Sequence, residues 1–138
     1  MNEFLQMGTN WGLLLIRLGV GIVFLAHGYP KMSNRWGDVK GSRQSLTKSI
    51  QRLGLPFPYQ FATLVGILEF FGGLMLIVGL GTRWAALGIL PIMLVASGRN
   101  IIQKGFLDSG DFPFSLLTTL LGLILLGGGS ISLDALLF

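Results

Sequence analysis

Glu69 and Arg17 are ionisable residues set inside apolar runs of the sequence. Glu69 lies near the middle of Tyr59–Leu80, and Arg17 about a third of the way into Trp11–Tyr29. A charge surrounded by hydrocarbon costs several kcal/mol unless it is partnered, so such residues mark candidate sites. If the two runs are antiparallel helices, Arg17 lies about six residues deep and Glu69 about eleven, an offset of roughly 7 Å. An arginine side chain can bridge that gap, so an Arg17–Glu69 pair is expected. It would either lock two helices together or form the polar floor of an internal cavity, where Glu69 exchanges a proton or binds a ligand group.

The first run carries more of this chemistry. Arg17, Gly21, Phe24, Gly28 and Lys31 fall at i, i+4, i+7, i+11 and i+14, so they share one helical face. The face is polar at both ends and small in the middle, as expected of one looking into a bundle. His27 lies beside it and titrates near neutral pH unless shifted. Glu69 and His27 are the candidate acid–base groups. Arg17, Phe24, His27, Lys31, Glu69, Arg99 and Asn100 are the candidate ligand-binding residues. Arg99 and Asn100 sit toward the same end of the chain's third apolar run as His27 and Lys31 do in the first. Arg99 either joins them at a shared mouth or extends to lipid headgroups.

These residues need elements to hold them. Only 12% of the 138 residues are charged and 51% are hydrophobic, against about a quarter charged in an ordinary soluble domain. A soluble chain this small has too much surface for so few charges. Four segments approach the roughly 20 apolar residues that cross a bilayer as helix: Trp11–Tyr29, Tyr59–Leu80, Trp84–Ile102 and Phe112–Gly128. They do not alternate, which excludes barrel strands. The fold class expected is therefore all-α, a single integral membrane domain built as a four-helix transmembrane bundle. Asp111 is the expected N-cap of the fourth span, and Pro113 fits its first turn. Gly81–Arg83 reads as a tight turn, and Gly127-Gly128-Gly129 as a helix stop. Pro91 interrupts the third span and should bend it.

The connection Pro30–Pro58 is long. Leu46, Ile50 and Leu53 share a helical face, with Arg43, Lys48 and Arg52 on others, which predicts an amphipathic helix over 42–53, lying at the membrane surface or plugging the bundle mouth. Six of the ten basic residues lie between Lys31 and Arg52. Such a loop is expected in the cytoplasm, with both termini outside. The same distribution argues for the lipid bilayer as partner and against nucleic acid. Glycine-rich faces (the chain has 21 glycines) permit a homo-oligomer.

There is no cysteine and one histidine. That excludes disulfides, Cys-ligated iron–sulfur clusters and bis-His haem within one chain, and no metal site is expected. Walker, dinucleotide-binding and HExxH patterns are missing.

The residues together resemble the DoxX family of small bacterial and archaeal membrane proteins. Arg17-Leu18, Gly21, Phe24, His27-Gly28 and Lys31 are similar to its opening signature. Gly54-Leu55-Pro56 resembles the entry to its second span. Glu69, Gly72-Gly73, Leu76, Gly79 and Thr82-Arg83 resemble its glutamate–glycine signature, and Gly127-Gly128-Gly129 with Ser132-Leu133-Asp134 its C-terminal ending. The resemblance implies a four-helix membrane fold in a cell membrane. It also implies association with quinone chemistry, with a non-covalent quinone as cofactor and a soluble or peripheral redox partner supplying electrons. The alternatives are a lipid or small-molecule binding or transport module, and a structural assembly subunit. Where some members carry a second histidine near the third span, this chain has Arg99 and Asn100.

Overall fold

The computed structural model describes residues 2–33 and 40–137. Arg35, one of the six basic residues of the long connection, lies outside them. Helix α1 runs Asn2–Met32, α2 Arg43–Arg52, α3 Pro58–Val78, α4 Thr82–Lys104, α5 Asp111–Leu126 and α6 Leu133–Leu137. A π-helical turn, Phe106–Gly110, leads into α5. Four stretches are long and apolar enough to cross a membrane: Glu3–Met32, Pro58–Val78, Thr82–Lys104 and Phe106–Leu126. The chain is an all-α four-helix membrane bundle, with no strand among the described residues.

The bundle has two ends. At the loop end lie the C-terminus of α1, helix α2, the start of α3 and the α4–α5 connection. At the terminal end lie the start of α1, the α3–α4 turn and the segment after α5. Helices α1 and α3 form the tightest pair, α4 and α5 the next, and α3 joins the pairs through α4. Contact between α1 and α5 is slight. Leu13, Phe24, Leu76, Ile89, Leu120 and Leu123 fill the core.

Glycine sets the α1–α3 register. A Cβ on Gly28 would lie 2.4 Å from the backbone nitrogen of Phe70, and one on Gly73 2.6 Å from that of Leu25. Backbone therefore touches backbone, the close approach that small residues permit in membranes. Gly21 faces Gly73 and Ile77, and Gly66 faces Lys31.

Several boundaries differ from the sequence expectation, for physical reasons. Helix α1 starts nine residues before Trp11, because nothing upstream breaks it and Glu3 suits a helix N-terminus. It also carries Pro30 within its last turn. Asp111 is not an N-cap but the first residue of α5. Its N–H already bonds the Phe106 carbonyl, so the chain arrives helical. Its Oδ1 accepts from the Phe112 N–H at 2.8 Å. The α3–α4 turn falls at Gly79–Gly81, two residues early, with φ of 72° and 57° at the two glycines. The amphipathic helix is α2. Its N-cap is Ser42, whose hydroxyl accepts from the Ser45 N–H at 3.3 Å, and it packs on α3 with Ile50 buried.

Candidate functional site

The polar interior is split into two centres. At the loop end, Lys31 Nζ donates to Glu69 Oε2 in an ion pair between α1 and α3. Both residues are buried, Lys31 at 8% exposure and Glu69 at 2%. Lys31 stands in the last turn of α1. A helical side chain leans toward the N-terminus, which carries the ammonium down to the level of Glu69. Gly66 makes room for it: a Cβ there would lie 2.7 Å from the Lys31 Cβ.

His27 is one turn before Lys31, at i and i+4, so the two are neighbours on the helix surface. It is exposed and faces the thin α1–α5 seam, where its ring stacks on Phe112 at 6.2 Å between centroids. Its Nδ1 lies 2.8 Å from the Val23 carbonyl oxygen. A carbonyl only accepts, so Nδ1 carries the proton and Nε2 of the neutral ring is left as an acceptor. Glu69, Lys31 and His27 thus form a row from the interior to the outer face of the bundle.

The expected Arg17–Glu69 pair does not form. Arg17 lies against Gly79, where a Cβ would meet its Nη1 at 1.7 Å. Gly79 is about 15 Å further along α3 than Glu69 at helical rise. Apolar boundaries suggested a closer register, but the glycine seam, not those boundaries, decides which levels of α1 and α3 face each other.

Arg17 anchors the second centre, at the terminal end. It is fully buried, at 0% exposure, and its Nη2 donates to the Ile131 carbonyl. Its Nε and Nη1 have no hydrogen-bond partner among the described residues. Its counter-charge is Asp134. That carboxylate accepts from the Gly81 N–H at 2.5 Å and the Thr82 N–H at 2.9 Å. Gly81 offers α4 no side-chain cap, so Asp134 satisfies the open N–H groups from across the fold. The Asp134 N–H closes the tie onto the Gly79 carbonyl at 2.9 Å. The residues that sequence reasoning missed here are Asp134, Thr82 and Gly79. The signal was present in the Thr82-Arg83 and Ser132-Leu133-Asp134 motifs, which fall on Arg17's side of the membrane.

Burial pushes the Asp134 carboxyl up, but the Thr82 and Gly81 N–H groups and the Arg17 charge outweigh it and hold it below the ordinary carboxylate range. A group whose folded pKa is depressed stabilises the fold above its unfolded pKa and stops doing so as pH falls through the folded one. Hydrogen exchange at Gly81 and Thr82 is therefore expected to be slow at neutral pH. It should speed up only below about pH 4, the ordinary aspartate range. Asp134→Asn should exchange fast throughout; slow exchange in that variant would show that the carboxylate does not hold the turn.

The remaining expected ligand residues are elsewhere. Phe24 is a core side chain at 1% exposure. Asn100 Nδ2 donates to the Ser109 carbonyl at 3.1 Å, tying α4 to the π-helical turn. Arg99 is half-buried with its Nε unpartnered, and no hydrogen bond or ion pair joins it to His27 or Lys31 among the described residues. Among the described residues, two surface grooves stand out. One, of about 290 Å³, runs between the first turns of α1 and Ser130–Ile131. The other, of about 160 Å³, lies on α2. Neither is lined by Arg17, His27 or Glu69.

Residues 12–99 match the family model described as DoxX. The chain is 27% identical to a Bacillus subtilis (strain 168) protein named "Putative oxidoreductase CatD", over all of this chain and 92% of that one. It is 33% identical to "Uncharacterized membrane protein Rv3486" of Mycobacterium tuberculosis (strain ATCC 25618 / H37Rv), over 88% of this chain and 78% of the other. No solved structure matches it.

Proposed function

We propose that this chain, which belongs to the DoxX family of membrane proteins, is a quinone-associated subunit of a membrane redox system. The observation that carries the reading is the row Glu69–Lys31–His27. An ion pair inside a membrane span is costly to keep without a use, and this one is one helical turn from an exposed imidazole. The Bacillus relative's name, "Putative oxidoreductase CatD", points the same way.

The residues suit a quinone–quinol head group, which is flat, apolar at its edges and carries two oxygens, carbonyl acceptors when oxidised and hydroxyl donors when reduced. The His27–Phe112 stack offers aromatic surface at a seam open to lipid. A bound quinone would supply the electron-accepting ring, and electrons would come from a soluble or peripheral redox partner. His27 Nε2 accepts a hydrogen bond when neutral and donates one when protonated. Lys31 and Glu69 are the next proton-exchanging groups inward, and the apolar faces of α1 and α5 exclude water from the ring.

The test is binding of a short-chain ubiquinol, whose hydroxyl donates to the neutral His27 Nε2, to the protein in nanodiscs under anaerobic conditions. His27→Phe keeps the ring stack and removes Nε2. It is expected to weaken binding about tenfold, the worth of one good hydrogen bond, while Asn100→Ala leaves it unchanged. If wild type shows no saturable binding, the reading is wrong.

A second reading is favoured by the tight glycine seam around Lys31–Glu69: an assembly subunit in which that ion pair only clamps α1 to α3. It requires that loss of the charges lowers folded yield with no separate effect on ligand. Orientation is part of the proposal. The basic connection before α3 favours a cytoplasmic loop end, in a bacterial or archaeal cell.

A further inference from the structure

We infer that the outer face of α2 binds the phosphate of an anionic phospholipid. Ser45, Lys48, Ser49 and Arg52 line the groove on this helix. They recur at i, i+3, i+4 and i+7, so two cations and two hydroxyls stand in one stripe. A phosphodiester offers acceptors and no donors, and ammonium, guanidinium and hydroxyl groups are its natural complement. From Lys40 to Phe57 the chain has four basic residues and no Asp or Glu.

The fold sets this stripe at the right depth. Ile50 is buried and α2 packs on α3, so the direction of the stripe is fixed. Leu53, Leu55 and Phe57 follow, exposed at 49, 48 and 68%, immediately before the membrane span that begins at Pro58. Three exposed apolar side chains at the mouth of a span belong at the boundary between acyl chains and headgroups. Arg52 immediately precedes Leu53, and Lys48 stands one turn further back along α2, so both cations adjoin that boundary. Phe57 takes a left-handed backbone, φ 53°, at the turn from α2 to α3. Arg43 sits 5.0 Å over the Tyr59 ring and holds the start of α2 to the first turn of α3.

Diffuse attraction to a negative surface would need only the charges. A site needs the stripe, and the experiment separates the two. The protein is purified with equal amounts of phosphatidylglycerol and phosphatidylcholine, and retained lipid is counted by native mass spectrometry. Wild type is expected to prefer phosphatidylglycerol about twenty-fivefold, two cations at roughly fivefold each. Lys48→Gln with Arg52→Gln should abolish the preference, with unchanged far-UV circular dichroism. Lys40→Gln with Lys104→Gln removes the same charge elsewhere and should keep it. Ser45→Ala with Ser49→Ala, which retains the charge, should lower it about two- to threefold. Equal losses in the two charge variants, no preference in wild type, or complete displacement of the lipid by inorganic phosphate would each overturn the assignment.

Discussion

Lys31→Met is expected to be among the most damaging single changes in this protein, costing about 3–5 kcal/mol, the usual result of stranding one member of a buried ion pair. The carboxylate of Glu69, at 2% exposure in the middle of α3, would be left without its cation. The converse change should be milder. Lys31 stands in the last turn of α1, so in Glu69→Leu its long side chain can swing outward and reach the headgroups. The double variant Lys31→Met with Glu69→Leu should recover most of the loss, because an apolar pair suits this site at least as well as a charged one. The folded fraction in detergent, followed through heat or denaturant, measures all three. If Lys31→Met unfolds no earlier than wild type, the pair is not the buried contact described. The double variant also divides the two functional readings. A clamp regains everything, whereas a redox subunit regains its fold and loses proton exchange with quinone.

Gly28→Ala is the second large effect. Its Cβ would stand 2.4 Å from the Phe70 backbone nitrogen, and backbone cannot turn aside as a side chain tip can. Helices α1 and α3 would have to part along a seam that also holds Gly21, Gly66 and Gly73, and Lys31 would be drawn off Glu69. An overpacked core typically loses 1–3 kcal/mol, and here the propensity gain of alanine, about 1 kcal/mol, offsets only part of it. Gly19→Ala is the control, since nothing lies within 4 Å of its Cβ. It should be neutral or stabilising. Equal behaviour of the two variants in the same unfolding assay would mean that the seam is not tight.

The spans, the amphipathic α2 and the identity of the polar residues were legible in the sequence, because hydropathy and helical periodicity act locally. The partnerships were not. Arg17 and Glu69 looked like mates when depth was counted from Trp11 and Leu80. Helix register depends instead on which glycines face which, and single glycines at 21, 28, 66 and 73 cannot be paired without knowing the packing. Lys31 looked like a loop-end residue, since its Cα lies near the end of α1; the backward lean of its side chain makes it a buried partner. Asp134 was the hardest to read. It lies outside every span and acts on a helix start 53 residues earlier in the chain, so no local pattern connects the two. His27 was correctly placed at the loop end, but its outward direction into the α1–α5 seam depends on a neighbour, Phe112, from a distant helix.

The tie at the terminal end also has a time order. Ile131, which accepts the hydrogen bond of Arg17, is 114 residues downstream of it. At about 5–20 residues per second of synthesis, the guanidinium waits on the order of ten seconds between its own incorporation and that of its acceptor. During that interval α1 can already seat its glycines against α3, but it carries an uncompensated cation at the opposite end. Membrane insertion therefore has an early step and a late one, and the late one depends on the segment that follows α5. A nascent chain stalled before Ile131 would display its unmatched arginine, which gives quality-control machinery a way to tell an unfinished molecule from a finished one.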